Sequence, residues 1–259
     1  MKRISIKLGK ETAKVNLPDN TEILSIIPPK LLGDPALSIQ RALIDSIGSP
    51  SLDQMIEQKL KKNPQAKAVI VISDNTRPVP YKGKAGILWP IIEKILAHNI
   101  PKERMLILVA TGTHRPLSEE ELREVLDPRL FDYRISIKNH DCRYKNNLVY
   151  LDKTSRGSSV YINRDYMEAD IKILTGLVET HFMAGASGGR KSICPGLIAE
   201  ESIYIFHGAP MLASPKASDL IIDGNPCHQE ALEVAKKAGT DYILNVTLDQ
   251  NFKQTGVFA

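Results

Sequence analysis

Three predominantly apolar runs, the first two of them uninterrupted, constrain the fold of this chain more than any other feature of its sequence. They lie at residues 68–72, 105–110 and 171–177 and are dominated by Val, Ile and Leu. A strand with one face in water alternates apolar and polar residues, whereas a continuous run is typical of a parallel strand that is buried on both faces. The sequence therefore predicts a parallel sheet that is covered on both sides.

Helical patterns lie between these runs. Ser51 is a favoured N-cap residue, and Ser118 is followed three residues later by Glu121, in the capping-box arrangement. Pro35 stands in the first turn of another predicted helix, where proline is well tolerated. We predict helices over residues 34–47, 51–61, 88–98, 199–206 and 229–237, together with one that begins at Ser118.

Shorter segments complete the expected layout. Residues 4–8 and 13–17 flank Gly9 and Lys10 and predict an opening hairpin. Further strands are predicted at 134–137, 148–151, 159–162 and 242–248. Because strands alternate with helices, we expect an α/β fold: a layered, mainly parallel sheet with flanking helices, Rossmann-like, with an N-terminal β-hairpin.

Composition excludes several classes of protein. The 259 residues suffice for one large domain or two small ones, and 34 basic against 30 acidic residues give a net charge of only +4. That charge is too small and too dispersed to indicate a nucleic-acid partner. No apolar run approaches the ~20 residues that span a bilayer, so we expect no membrane partner. The three cysteines are few and widely spaced, which favours a reducing, cytoplasmic location over a disulfide framework.

Polar chemistry follows each of the three buried runs, where parallel sheets usually bind ligands. After the first run, Asp74 and Arg77 lie three residues apart and Pro78 follows. The forked guanidinium of Arg77 is suited to hold a carboxylate or phosphate. The alternative is an Asp74–Arg77 pair that only closes a turn.

The second run ends in Thr111, Gly112, Thr113 and His114. Glycine and small hydroxyl residues allow a ligand to approach the backbone closely, and His114 is a candidate general acid or base. The alternative is a histidine that bonds its own loop.

The third run leads into residues 179–196, the segment richest in chemistry. It contains His181, then Ser187, Gly188, Gly189, Arg190 and Lys191 in succession. Such a glycine cradle presents backbone N–H groups to an anion, although a structural turn is the alternative. The phosphate-loop pattern G-x-x-x-x-G-K-[ST] fails because Arg190 stands where its second glycine would be.

Three histidines at predicted strand or helix ends, namely His114, His181 and His207, raise the alternative of a zinc site. No short H-x-H or H-x₃-H pair supports it. We expect His140 and His228 to lie in polar surface loops. We expect the three cysteines to be structural. For Cys194, beside the glycine segment, the alternative is a reactive thiol, because a nearby lysine and arginine favour the thiolate.

In combination, these segments resemble the lactate racemase family, whose members use a nickel-pincer nucleotide. The resemblance rests on segments 74–78, 111–115, 181–196, 223–226 and 243–246 together with His207, and it spans nearly the whole chain. Each segment alone is weak, but the order and spacing of several together are specific.

The resemblance implies a set of roles. In the family the cofactor is a pyridinium mononucleotide with a thioamide and a thiocarboxylate, attached to a lysine whose position Lys191 occupies. His207 matches the histidine that binds nickel, and His114 and His181 match the two acid–base histidines. Arg77 is the expected substrate-carboxylate clamp. The expected cofactor-binding residues, besides Lys191, are Asp74, Arg77, Thr111, Gly112, Thr113, Ser187, Gly188, Gly189 and Arg190.

The family's chemistry makes these residue types intelligible. A 2-hydroxy acid has a poorly acidic C2–H, so the resemblance implies hydride transfer to and from the cofactor, with two histidines moving the hydroxyl proton for the two enantiomers. Implied partners are a small 2-hydroxy acid and, transiently, the enzymes that make the cofactor. We expect residues 1–259 to be the N-terminal catalytic, cofactor-binding domain, without the family's C-terminal domain and weakly active or inactive alone. We also expect substrate selection near Tyr81 and Trp89.

Two other functions remain open at this stage. One is a non-catalytic module that binds the nickel-pincer nucleotide through Lys191 and His207. The other is a zinc hydrolase or lyase that uses the three histidines.

Overall fold

The computed structural model describes residues 1–9, 11–24 and 26–259. The chain opens with a β-hairpin and continues as strands alternating with helices. The strands are β1 (Lys2–Leu8), β2 (Glu11–Leu17), β3 (Ala68–Ser73), β4 (Met105–Ala110), β5 (Ser136–Asn139), β6 (Leu148–Lys153), β7 (Ser159–Asn163), β8 (Ile171–Leu177), β9 (Thr180–His181), β10 (Gly185–Ala186), β11 (Tyr242–Leu248) and β12 (Gln254–Phe258).

Helices flank these strands. They are α1 (Pro35–Ile44), α2 (Leu52–Lys62), α3 (Leu88–Ala97), α4 (Glu119–Val125), α5 (Pro128–Asp132), α6 (Arg164–Met167), α7 (Glu200–Phe206), α8 (Ala209–Leu212) and α9 (Pro226–Ala238). Short 3₁₀ turns cover Lys102–Arg104, Lys145–Asn147 and Gly189–Ser192.

The main sheet has six strands in the order β12-β11-β8-β3-β4-β5. Its neighbours pair in parallel except for β12, which runs antiparallel to β11 at one edge. The hairpin β1–β2 and the pair β6–β7 are separate two-stranded sheets. The expected α/β fold with a mainly parallel sheet, flanking helices and an opening hairpin is confirmed.

The central strand β3 shows why the sheet is covered on both faces. Successive side chains of a strand point to opposite faces. Ile70 and Ile72 pack into a core with α1, α2 and α3, whereas Val69 and Val71 pack into a second core with α7 and α9. All four are fully buried, so the uninterrupted apolar run is explained.

Helix starts follow the predicted caps. The Ser51 hydroxyl accepts a hydrogen bond from the backbone N–H of Gln54, and Ser118 and Glu121 form a capping box at α4. The Asp34 side chain caps α1, with Pro35 in the first turn. These contacts satisfy backbone donors that a helix leaves unpaired at its N-terminus.

Some predictions were wrong in detail. The strand expected at 134–137 begins at Ser136, and α1 ends before Ile47. The sequence pattern did not reveal β12. The hairpin is confirmed by the pairing of β1 with β2, although Lys10 lies outside the described residues. Within the described ranges, no helix is both long and apolar enough to cross a bilayer.

Candidate functional site

A cavity of about 440 Å³ opens at the carboxyl ends of β3, β4 and β8. It gathers residues from segments far apart in the chain, because neighbouring parallel strands end at the same edge of the sheet. The expected site residues that line it are Asp74, Arg77, Thr111, Gly112, Thr113, His114, His181, Ser187, Gly188, Lys191 and His207.

Lys191 and His181 form the hydrogen-bonded centre of this cavity. Lys191 Nζ lies 2.7 Å from His181 Nε2. Burial, reinforced by the positive charges of Arg77 and Arg190, lowers the pKa of Lys191 to about 8. Burial and the neighbouring Lys191 lower the pKa of His181 to about 4. His181 is therefore neutral at physiological pH, whereas Lys191 is mostly protonated there and becomes mostly neutral above pH 8.

His114 is oriented by a buried carboxylate. Its Nδ1 lies 2.5 Å from Oδ2 of Asp74, a side chain that is 4% exposed. The other oxygen of Asp74 accepts hydrogen bonds from the hydroxyl and the backbone N–H of Thr76. A carboxylate acts as an acceptor, so the proton of neutral His114 resides on Nδ1 and Nε2 carries the free lone pair. This arrangement suits a general base.

The side chain of Arg77 does not pair with that of Asp74. Its Nη1 donates to Oε1 of Glu179 at 2.9 Å, so the guanidinium bridges the loops after β3 and β8. The turn-closing alternative holds for the backbone alone, where the N–H of Arg77 donates to the carbonyl oxygen of Asp74 at 3.2 Å. Arg77 lines the cavity with its side chain 42% exposed, where it is open to an anionic ligand.

His207 caps the carboxyl end of α7 and lies at the rim of the cavity. Desolvation, with smaller effects of Lys191 and His114, lowers its pKa. A neutral imidazole is the form that binds metals.

The glycine segment divides its residues between two sides. Gly188 faces the cavity, where an added Cβ would lie 2.9 Å from Val178 Cγ2. Gly189 and Arg190 instead line a separate groove along α9 and β11. The guanidinium of Arg190 donates to the carbonyl oxygens of Ala184 and Ala186. The structure thus gives Arg190 a bracing contact within the loop, and its contact with a cofactor stays a prediction.

The hydroxyl groups of two residues expected to contact a cofactor form hydrogen bonds with the protein backbone. Ser187 Oγ donates to the carbonyl oxygen of Leu177 and accepts from the backbone N–H of Glu179. Thr111 Oγ1 donates to the carbonyl oxygen of His140. Their backbones still border the cavity, as does Gly112, whose φ of +56° is in the region that favours glycine.

Several expectations about other residues were wrong. His140 is only 2% exposed and bonds Ile198 and Asn163, and His228 lies within α9. Tyr81 and Trp89 belong to the apolar core. By contrast, burial raises the pKa of the Cys194 thiol, which agrees with the expected structural role and not with the reactive-thiol alternative.

The arrangement of side chains does not support the alternative of a zinc site. Across residues 1–9, 11–24 and 26–259, no group of three or more His, Cys, Asp or Glu side chains is placed to hold a metal ion. The three cysteines are free and buried.

Sequence reasoning missed two contributors to the site. Glu179 holds Arg77, and Phe182 stacks on His181 with ring centroids 5.1 Å apart at the cavity wall. Glu179 is the first residue of the segment singled out above, and Phe182 is an aromatic residue directly beside a candidate histidine. The charge of Glu179 and the aromatic ring of Phe182, within a segment rich in candidate residues, were the signals that could have identified them.

Taken together, the fold and the cavity define an α/β protein with a lysine-centred ligand site at the carboxyl edge of its sheet. Comparison with known families matches residues 8–219 to the lactate racemase N-terminal domain, and the chain belongs to that family.

Two curated relatives carry the same name. A lactate racemase of Thermoanaerobacterium thermosaccharolyticum is 32% identical over all of this chain and 59% of its own length. One of Lactiplantibacillus plantarum is 34% identical over 86% of this chain and 50% of its own length. The chain therefore spans between half and three-fifths of the curated relatives it matches.

Solved structures agree with the fold. The lactate racemase apoprotein from T. thermosaccharolyticum superimposes with a TM-score of 0.84 at 31% identity, over 99% of this chain and 58% of that one. A protein from Thermotoga maritima matches with a TM-score of 0.60 at 19% identity, over 82% of this chain and 55% of that one, which supports the fold alone.

Proposed function

We propose that the chain is the cofactor-holding, catalytic unit of a racemase or epimerase that acts on a small 2-hydroxy acid, lactate or a relative of it. The observation that carries the proposal is the convergence of Lys191, Arg77 and three histidines on one cavity. The relatives named lactate racemase support the same reaction class. The free cysteines accord with a cytoplasmic setting.

The cavity fits a nickel-pincer nucleotide on three counts. Its volume of about 440 Å³ is within the range of small-ligand sites. Lys191 offers an amine with a lowered pKa, as covalent attachment to a carboxyl-derived group requires. Gly176 and Gly188 both line the cavity, so at these two positions a ligand can approach the backbone closely.

In this proposal Lys191 holds the cofactor and His207 binds its nickel. The cofactor, when bound, supplies a centre that accepts and returns hydride. Arg77 binds the substrate carboxylate, which orients C2 and its hydroxyl in the cavity. His114 and His181 each exchange the hydroxyl proton, one for each enantiomer. General acid–base groups contribute ~10²–10⁴-fold to such reactions.

A purely cofactor-binding module is a weaker explanation. Such a module has no use for the contact between Asp74 and His114, which fixes the tautomer of an exposed imidazole at the cavity wall. Orienting carboxylates of this kind accompany histidines that move protons.

The intact mass of the protein, co-expressed with the enzymes that make the cofactor, tests the proposal. We expect a mass increment on Lys191 together with bound nickel, and loss of both increment and nickel retention in Lys191→Ala. Lys172→Met is the matched control, because Lys172 is also a partly buried lysine but bonds the carbonyl oxygen of Ala238, away from the cavity. An unmodified Lys191 under these conditions would overturn the proposal.

The roles of the two histidines are tested in the loaded protein. Replacing His114 or His181 by glutamine is expected to slow proton exchange from one enantiomer more than from the other, with opposite preference in the two variants. Equal effects on both enantiomers in both variants would contradict the assignment.

A further inference from the structure

The hydrogen bonds around His181 determine which atom of its ring carries the proton. Nδ1 accepts from two backbone N–H groups, those of Met183 at 3.3 Å and Ala184 at 3.2 Å. A ring nitrogen that accepts hydrogen bonds holds a lone pair, so neutral His181 must carry its proton on Nε2.

That assignment fixes the direction of the bond to Lys191. Nε2–H is a donor, and Lys191 Nζ lies 2.7 Å away. An ammonium group has no lone pair and cannot accept, whereas a neutral amine has a single one. The contact is therefore Nε2–H···Nζ, with the only lone pair of Lys191 directed at His181 and not into the cavity.

Other groups around Lys191 reinforce this state. Burial and the cations Arg77 and Arg190 disfavour a third positive charge at Nζ. Cys194 and Cys227 also lie near the amine, but burial raises the pKa of both thiols and keeps them neutral. The surroundings thus lower the pKa of the amine to about 8 and hold it in place, and above that pH the neutral form predominates.

We propose that His181 masks Lys191 in the unloaded protein: the amine lone pair is held in the hydrogen bond to His181 and cannot attack until an incoming acyl group releases it. Release follows when the acyl oxygen or sulfur takes over the hydrogen bond from Nε2–H. The freed lone pair then attacks the acyl carbon: a C–N bond forms, the bond to the leaving group breaks, and one amine proton departs with that group. The donated hydrogen bond polarises the acyl group at the same time.

This inference deepens the proposed function, since it concerns how the same lysine becomes modified, and it adds a role for His181 before turnover. Its test needs no cofactor and no racemisation assay. Carbamylation of the unloaded protein by cyanate at pH 9.5, followed by peptide mass spectrometry, reports the reactivity of each lysine. At that pH Lys191 is neutral, so the rate reflects access to its lone pair.

We expect cyanate to carbamylate Lys191 about fivefold faster in His181→Phe than in the native protein. This is the factor that the loss of one hydrogen bond predicts. His181→Gln retains an N–H donor and should stay close to the native rate. His98→Phe is the control, because His98 bonds Asp53 away from the cavity, and it should leave the rate unchanged. An unchanged or slower rate in His181→Phe would overturn the masking role.

A second measurement covers the case in which His181→Phe does not fold. In ¹⁵N-labelled native protein, long-range ¹H–¹⁵N spectra should show His181 protonated on Nε2, and the Nε2 resonance should shift in Lys191→Met. Protonation on Nδ1 would contradict the inference. Failure of cofactor attachment in the intact-mass experiment, with these two results as expected, would refute the proposed function alone.

Discussion

Asp74 and His114 lie forty residues apart in sequence, yet Oδ2 of the carboxylate is 2.5 Å from Nδ1 of the imidazole. This contact leaves Nε2 of His114 unprotonated, whereas the neighbours of His181 require a proton on Nε2. The two candidate acid–base histidines thus occupy opposite tautomers in the unloaded protein. One is poised to accept a proton and the other to donate a hydrogen bond.

Asp74→Asn is expected to disturb the tautomer of His114. The asparagine amide no longer forces Nδ1 to be the donor, so ¹H–¹⁵N spectra at a pH where the ring is neutral should show a shift toward protonation on Nε2. Proton exchange in the loaded protein should fall by about tenfold or more. Asp152→Asn, which removes an exposed carboxylate paired with Lys237, is the control. An unaltered His114 tautomer would contradict the role given to Asp74.

Glu179→Ala is expected to weaken binding of the substrate carboxylate. Arg77 would lose the contact that holds its Nη1 and would have to be ordered by the substrate, which costs side-chain entropy. The KM of the loaded protein should rise about three- to tenfold with little change in kcat. Glu179→Gln keeps an acceptor oxygen and should lie in between. A fall in kcat at unchanged KM would indicate another role for Glu179.

Lys191→Met is expected to stabilise the unloaded protein near neutral pH. The pKa of Lys191 falls from 10.5 in the unfolded chain to about 8 in the folded state. The unfolded state then binds more protons between pH 8 and 10.5, so the lysine destabilises the fold below pH 8 and the penalty disappears as pH rises to 10.5. Urea unfolding should show a gain of up to about 3 kcal/mol at pH 7, shrinking by pH 10. A gain that is equal at both pH values would contradict the shift.

Gly185→Ala is expected to damage the loop that carries His181. Gly185 has a φ of +77°, and a Cβ there would lie 2.2 Å from the carbonyl oxygen of Ile221. Gly157 offers a matched control, since its φ is +85° but a Cβ would meet nothing within 4 Å. Gly157→Ala should lose about 1–2 kcal/mol through backbone strain alone, and Gly185→Ala clearly more. Urea midpoints measure both, and equal losses would show that the contact with Ile221 yields easily.

The sheet could be predicted because its signal is local. The apolar runs at 105–110 and 171–177 coincide with β4 and β8, and Ser51 and Ser118 cap the helices that follow them. Each of these features depends on a few consecutive residues. The strand β12 gave no such signal, because an edge strand with one paired side needs no continuous apolar run.

The site could be predicted only as a set of candidate residues. Parallel strands bring the ends of β3, β4 and β8 together, so chemistry after each run was expected to converge, and it does. The hydrogen-bond partner of each side chain could not be predicted from the sequence. Asp74 pairs with His114 and not with the nearby Arg77, and His140, expected at the surface, is buried.

The sequence by itself determined the layered α/β fold and the loops that carry chemistry, since periodicity and capping act within single segments. Only the tertiary structure decided which way each side chain in those loops points. Lys191 and Arg190 are adjacent, yet one lines the cavity and the other braces the loop from the opposite side. Gly188 and Gly189, with φ of +76° and +49°, turn the backbone directly before these two residues. Contacts with distant segments, such as Gly189 with Asn245, fix that turn, and no local pattern encodes them.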